Sequence, residues 1–159
     1  MPVLFQVRVR SVTFHRARLL RLVEAVLAEV GESSAELGVS FIGDRRMRKL
    51  NRRFRRKDRS TDVLAFAMRE ARAPHVSRLR GGQLGDVVIS VPTALRQARS
   101  GRRSVDEEVA ALLVHGMLHL CGYDHERSEA EARRMHRRER MVLHRLGKIP
   151  SIVRPIRQR

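Results

Sequence analysis

Three histidines carry the clearest chemistry in this chain. His115, His119 and His125 stand in the stretch His115-Gly116-Met117-Leu118-His119-Leu120-Cys121-Gly122-Tyr123-Asp124-His125. Their spacing is i, i+4 and i+10, with Gly122 at i+7. Residues four apart lie on one face of a helix, a turn above one another, so His115 and His119 can aim two imidazoles at a single point. The preceding run Val109-Ala110-Ala111-Leu112-Leu113-Val114 is apolar all round, which predicts a buried helix beneath them. A third ligand at i+10 requires the chain to turn back, and Gly122 is the residue type that ends helices in a left-handed conformation. Three imidazoles with an open fourth position describe a catalytic zinc site, in contrast to a closed structural one. The expected cofactor is one Zn2+ per chain, although imidazole donors also suit nickel, copper and iron.

The spacing almost reproduces the H-E-x-x-H-x-x-G-x-x-H pattern of metzincin peptidases. It departs at Gly116, where a peptidase carries its glutamate base, and that departure argues against peptide hydrolysis. The wider stretch His-Gly-x-Leu-His-Leu-x-Gly-Tyr-Asp-His resembles the signature of the YbeY family of bacterial rRNA-maturation endoribonucleases. Two further segments match in the family's order: Leu50-Asn51-x-x-Phe54-Arg55-x-x-Asp58-x-x-Thr61-Asp62-Val63-Leu64-x-Phe66 and Leu84-Gly85-Asp86-Val87-Val88-Ile89-Ser90. The resemblance spans residues 3–147. It implies a zincin-like fold, a single-stranded ribosomal RNA substrate, a role in small-subunit rRNA 3′-end maturation and ribosome quality control, and the ribosome or ribosomal proteins as partners. It also singles out Arg55 as the catalytic arginine, a group that would hold or stabilise a phosphate.

Charge supports a polyanion partner independently. Net charge is +17 over 159 residues. Only Lys49, Lys57 and Lys148 are lysines and the other 31 basic residues are arginine, a bias of the kind codon usage produces, so not all of the excess is expected to serve function. The local density is more telling, because ten of the fifteen residues from Arg45 to Arg59 are basic and only Asp58 is acidic. Like charges at i+4 disfavour a helix unless an anion offsets them. Arg45, Arg48, Lys49, Arg52, Arg53, Arg56, Lys57 and Arg59 are therefore the expected RNA-binding surface. With five Phe and one Tyr, aromatic platforms for stacking bases are poorly supplied.

The elements that must position these residues follow from periodicity. Val3–Arg10 alternates as a half-buried strand, and residues 16–30 show helical spacing ended by Gly31. Glu36–Ile42 reads as a strand, with Asp44 as N-cap of a helix that buries Met47, Leu50 and Phe54. Thr61–Met68 suits a strand covered on both faces. Residues 69–82 form a polar loop, and Leu84–Val91 is a strand stopped by Pro92. Residues 93–100 form a short helix. Ser104-Val105-Asp106-Glu107 and Ser128-Glu129-Ala130-Glu131 are capping boxes that start the histidine helix and a charged C-terminal helix. The predicted order is β-α-β-α-β-β-α-α-α: an α+β single domain over 1–150, with one small mixed sheet and packed helices, followed by a basic tail, 151–159, expected to fray.

Some residues remain open at this level. Asp124 is either a partner that orients a ligand histidine or a turn residue. Asp86, acidic within an apolar strand, either orients a histidine or pairs with an arginine. Cys121 reads as a small core residue, and His15, His75, His136 and His144 as non-functional. No stretch approaches ~20 apolar residues, so no membrane span is expected. The apolar run Leu19–Leu27 is broken by Arg21 and Glu24, and with a single cysteine a cytoplasmic setting is expected. Oligomeric state leaves no mark on the sequence. The leading expectation is a zinc-dependent single-strand endoribonuclease. Its rivals are a metzincin-like peptidase and a non-catalytic RNA-binding assembly factor with a structural metal.

Overall fold

A computed structural model describes residues 3–68 and 82–156. Most of the expected 69–82 loop, with Pro74 and His75, lies outside the described residues, as do Arg157 and Arg159. The elements are β1 (Val3–Val7), β2 (Val12–Phe14), α1 (Arg16–Glu29), β3 (Glu36–Ile42), α2 (Asp44–Arg55), β4 (Val63–Ala67), β5 (Gln83–Ser90), α3 (Val91–Ser100), α4 (Val105–Leu120), α5 (Glu129–Leu146) and β6 (Val153–Pro155). The chain is an α+β domain. Its four-stranded sheet has the order β1-β3-β5-β4, with β1, β3 and β5 parallel and β4 antiparallel to β5. The mixed sheet is thus as the alternation predicts.

Side chains alternate across the sheet and sort the helices to its two faces. On one face Val39, Phe41, Val87 and Ile89 join the main core with residues of α1, α4 and α5. On the other, Ile42, Leu64 and Val88 form a smaller cluster with Met47 of α2, flanked by Leu50 and Phe66. Helix α4 runs through the main core with its Val109, Leu113, Val114, Met117 and Leu118 almost fully buried. The serine half of both predicted capping boxes forms: Ser104 Oγ accepts the Glu107 N–H and Ser128 Oγ accepts the Glu131 N–H. His15, expected to be without function, is the N-cap of α1, its Nδ1 accepting the Arg18 N–H at 3.3 Å.

Four expectations need correction. The tail does not fray over its first residues: β6 pairs antiparallel with β2, and Ile152 is fully buried. Asp106, in the first turn of α4, holds it by accepting the Ile152 and Val153 N–H groups, both at 2.8 Å. Asp44 is the first residue of α2, not its cap, which is Gly43. Its carboxylate instead accepts from Ser60, Ser90, Thr93 and Arg96, joining α2 to β5, α3 and the segment before β4. Burial alone would raise its pKa, but these hydrogen bonds outweigh it and hold the carboxyl well below the usual range. Strand β4 is an outer strand with only Leu64 buried, so it is not covered on both faces. Finally, α2 buries Met47 and Asn51, whereas Phe54 is 52% exposed.

Candidate metal centre

Helix α4 brings His115 and His119 to the cleft side of the sheet, and one residue lets it come close enough. A Cβ on Gly116 would sit 2.7 Å from Val87 Cγ1 and 3.3 Å from Val63 Cγ2. The helix backbone therefore rests directly on β5 and β4, and any side chain at this position would force it off the sheet. The absent glutamate base is thus a packing requirement as well as a chemical difference. Three residues beyond His119 the chain turns. Gly122 adopts φ +101°, and its N–H and that of Tyr123 bond back to the carbonyls of His119 and Leu118. The turn returns exposed His125 to the helix face, as its spacing predicts.

The three rings converge. His119 Nε2 lies 3.1 Å from His115 Nε2 and 3.1 Å from His125 Nδ1. All three candidate ligand atoms fall within 4.8 Å of one another. Nitrogens at ~2.05 Å from a tetrahedral zinc stand about 3.3 Å apart, so this donor set fits a metal of that size. One His119 ring proton could serve only one of the two contacts, whereas a cation accounts for both.

Two features prepare the imidazoles as ligands. His115 Nδ1 lies 2.5 Å from Glu139 Oε1 of α5. With its proton on Nδ1, facing the carboxylate, His115 presents Nε2 as a lone pair to the other histidines. Sequence reasoning missed Glu139, which lies 24 residues from His115 in a helix dense with charge. Its one signal is that α5 packs against α4. The pKa of His119 is lowered, first by burial and then by His115 and His125, against a backbone hydrogen bond at Tyr123 and the charge of Asp124. The neutral form it favours is the one that binds metal.

Among the described residues Asp124 makes no hydrogen bond to a histidine. Its Oδ1 accepts the Glu126 N–H at 3.0 Å, shaping the turn. Asp86 is turned away from the cleft histidines, because it alternates with Val87, which faces α4; it leans over Gly38 on the opposite face. Cys121 is half-buried against the main core and is not a member of the donor cluster.

The histidines open on a cleft of about 1260 Å³ that the end of α2, the segment after it and the outer strand β4 also line. Arg55, Lys57 and Arg59 line it, along with Phe54 and Phe66. Arg45, Lys49, Arg52, Arg53 and Arg56 are exposed on or just beyond α2. Arg48 is exposed too but engaged, holding Asp58 with two hydrogen bonds at 2.8 and 3.1 Å. Along β4 the register turns the backbone groups of Val63, Ala65 and Ala67 toward the open edge, since Ser90 N–H bonds Asp62 and Met68 N–H bonds Leu84. Two of those groups are occupied. The Asp62 carboxylate accepts the Val63 N–H, and Arg55 donates to the Ala65 carbonyl at 2.8 Å.

Known proteins share this arrangement of sequence. The family model described as Endoribonuclease YbeY matches residues 5–147. Proteins named Endoribonuclease YbeY are similar at 47% identity in Anaeromyxobacter sp. (strain Fw109-5), over 86% of this chain and 68% of that protein. The one from Geobacter metallireducens is 45% identical, over 79% of this chain and 82% of its own length. The one from Aquifex aeolicus is 40% identical, over 89% and 91%. The fold is also that of a Thermotoga maritima protein known from a solution structure, with a TM-score of 0.60 at 22% identity, covering 89% of this chain and 87% of that one. A family match across nearly the whole sequence, with the histidine spacing and its glycine inside it, places this chain in the YbeY endoribonuclease family.

Proposed function

We propose that this protein is a zinc-dependent, single-strand-specific endoribonuclease of the cytoplasm, acting in small-subunit rRNA 3′-end maturation and ribosome quality control in company with the ribosome or its proteins. The observation that carries the reading is the convergence of three histidine nitrogens in a cleft that Arg55, Lys57 and Arg59 also line. Family membership supports RNA as substrate, and the motif resemblance supports ribosomal RNA within that class. His115 Nε2, His119 Nε2 and His125 Nδ1 would hold one Zn2+. When bound, the ion supplies Lewis acidity that polarises a phosphoryl oxygen and lowers the pKa of water.

The chain's own groups do the rest. Glu139 keeps the Nδ1 proton of His115 and fixes the ring's direction. Arg55 uses one of its five N–H donors on Ala65, which anchors the guanidinium at the cleft rim and leaves the others to meet charge on a reacting phosphate. Lys57 and Arg59 add field along the RNA backbone. A peptide substrate fits poorly. Position 116 has no room for a glutamate base, and two of the edge groups a β-strand substrate would bond are already occupied.

The test is incubation of zinc-loaded protein with single-stranded RNA, duplex RNA and casein, with and without chelator. Cleavage confined to single-stranded RNA, abolished by chelation and restored by Zn2+, is the expected result. Casein hydrolysis, or RNA cleavage indifferent to chelator, would overturn the assignment.

A further inference from the structure

Phe54 is placed where burial does not explain it. It follows Met47 and Leu50 at the spacing that should carry it into the small cluster, yet it is 52% exposed. Its ring meets Phe66 of β4 edge to face, with centroids 5.2 Å apart and planes at 69°. Arg53 lies over the Phe54 ring at 5.2 Å, and Arg55 over the Phe66 ring at 5.9 Å. Both rings line the same cleft as the three histidines. An apolar partner protein would gain little here, because it would have to desolvate the surrounding guanidinium groups. An unpaired nucleobase, by contrast, offers a π-face to the ring while its phosphates meet the arginines.

We infer that Phe54, backed by Phe66 and bordered by Arg53 and Arg55, is a stacking platform for one unpaired base of the RNA strand that enters the histidine cleft. This rests on the endoribonuclease reading and deepens it. A duplex keeps its base faces stacked inside, so a platform that takes an exposed face admits single strands and excludes duplexes. The sequence is poor in aromatics overall, yet two of its six sit together at the rim of the candidate active site.

The experiment uses a 2′-O-methyl oligonucleotide carrying 2-aminopurine at successive positions, with strand length checked after each titration so that only uncut strand is read as binding. Phe54→Ala, Phe54→Leu and Phe54→Tyr are compared with wild type. Stacking quenches the fluorescent base at one position in the wild type. Phe54→Ala should abolish that quench and weaken binding by about 5- to 160-fold. Phe54→Tyr should restore both, whereas Phe54→Leu, apolar without a π-face, should restore neither. The log–log salt slope should be the same in all four, since every phosphate-binding group is kept. Equal rescue by Leu and Tyr, or a quench that survives Phe54→Ala, would overturn the platform. Cleavage of ordinary RNA is measured alongside. If wild type cuts RNA and the quench does not depend on Phe54, this inference alone fails. If wild type neither binds nor cuts RNA, the endoribonuclease reading fails and takes the platform with it.

Discussion

The two walls of the cleft are built on opposite plans. The histidine wall is set into the main core: α4 lies against the sheet through Gly116, the turn depends on a positive φ at Gly122, and Glu139 fixes one ring from a neighbouring helix. Each ligand is held by something that would be costly to move. The arginine wall stands over a small cluster of four buried residues and its charges are exposed; Arg48 is held by Asp58 and Arg55 by the Ala65 carbonyl, while Arg53 lies over the Phe54 ring. A metal site needs ligands placed to a fraction of an ångström, because coordination is directional and short. Holding a flexible polyanion needs only field and reach, which redundancy supplies. The wall that does chemistry should therefore fail at single residues, and the wall that binds should fade gradually.

The sharpest way to break that contrast is at the ligands. His115→Ala or His119→Ala should lose zinc and drop cleavage to background, read by metal analysis of the purified protein and by RNA assay. Stoichiometric zinc in both variants would remove the centre from these residues.

Arg55 tests whether one residue of the basic wall belongs with the chemistry. If it meets charge that develops on the phosphate, Arg55→Ala should lower single-turnover cleavage about 10²- to 10³-fold, with RNA affinity little changed. Arg55→Lys should rescue poorly, since an ammonium cannot replace the planar fork that also reaches Ala65. Equal, small losses in Arg55→Ala and Arg52→Ala at matched zinc content would return Arg55 to the diffuse surface.

A smaller effect is expected at Glu139. Glu139→Gln keeps an acceptor for the Nδ1 proton but removes the charge that strengthens His115 as a donor. Zinc affinity should fall about 10- to 100-fold, while RNA affinity of the metal-loaded protein stays at its wild-type value. An unchanged zinc affinity would mean that α4 alone positions the ring.

How much of this was legible in the sequence follows the same division. Local order was readable where neighbours in the chain decide it: the i, i+4 histidines, the turn at Gly122, and the helix caps at Ser104 and Ser128 are all contacts within a few residues. What was illegible depended on distant partners. Glu139 is one acid among many on α5 until α5 is known to cross the histidines. Strands β2 and β6 have three residues each and pair across most of the chain, so neither has a periodicity to read. Phe54 departs from its helical spacing for a related reason. Helical spacing says which residues share a face, but not how far the opposing sheet extends. Here the sheet ends at β4, leaving the last turn of α2 overhanging an edge. Asp86 shows the reverse: alternation with Val87 already put the two on opposite faces, but which face held the histidines was not written in the strand itself.

The weakest expected effects come from single charges on α2, and they separate direct phosphate binding from mere field. For single-stranded RNA the log–log slope of affinity against salt falls by about 0.7 for each phosphate that the protein no longer neutralises. Arg45, Arg52 and Arg56 are exposed and have no hydrogen bond or ion pair among the described residues. Replacing all three by alanine should flatten the slope by at most about 2, in roughly equal steps if each meets a phosphate. Arg48→Ala is the informative control. Arg48 already satisfies Asp58 with a bidentate pair, so it is poorly placed to hold a phosphate as well. Its removal costs the surface one positive charge, as the others do, and also exposes the Asp58 carboxylate. Affinity should therefore fall while the slope stays near wild type. If Arg48→Ala flattens the slope as much as Arg52→Ala does, the Asp58 pair opens to the RNA and the whole helix face acts as a single undifferentiated field. If the slope responds to Arg52 and Arg56 but not Arg48, the strand follows a defined track along α2 toward the platform and the histidines.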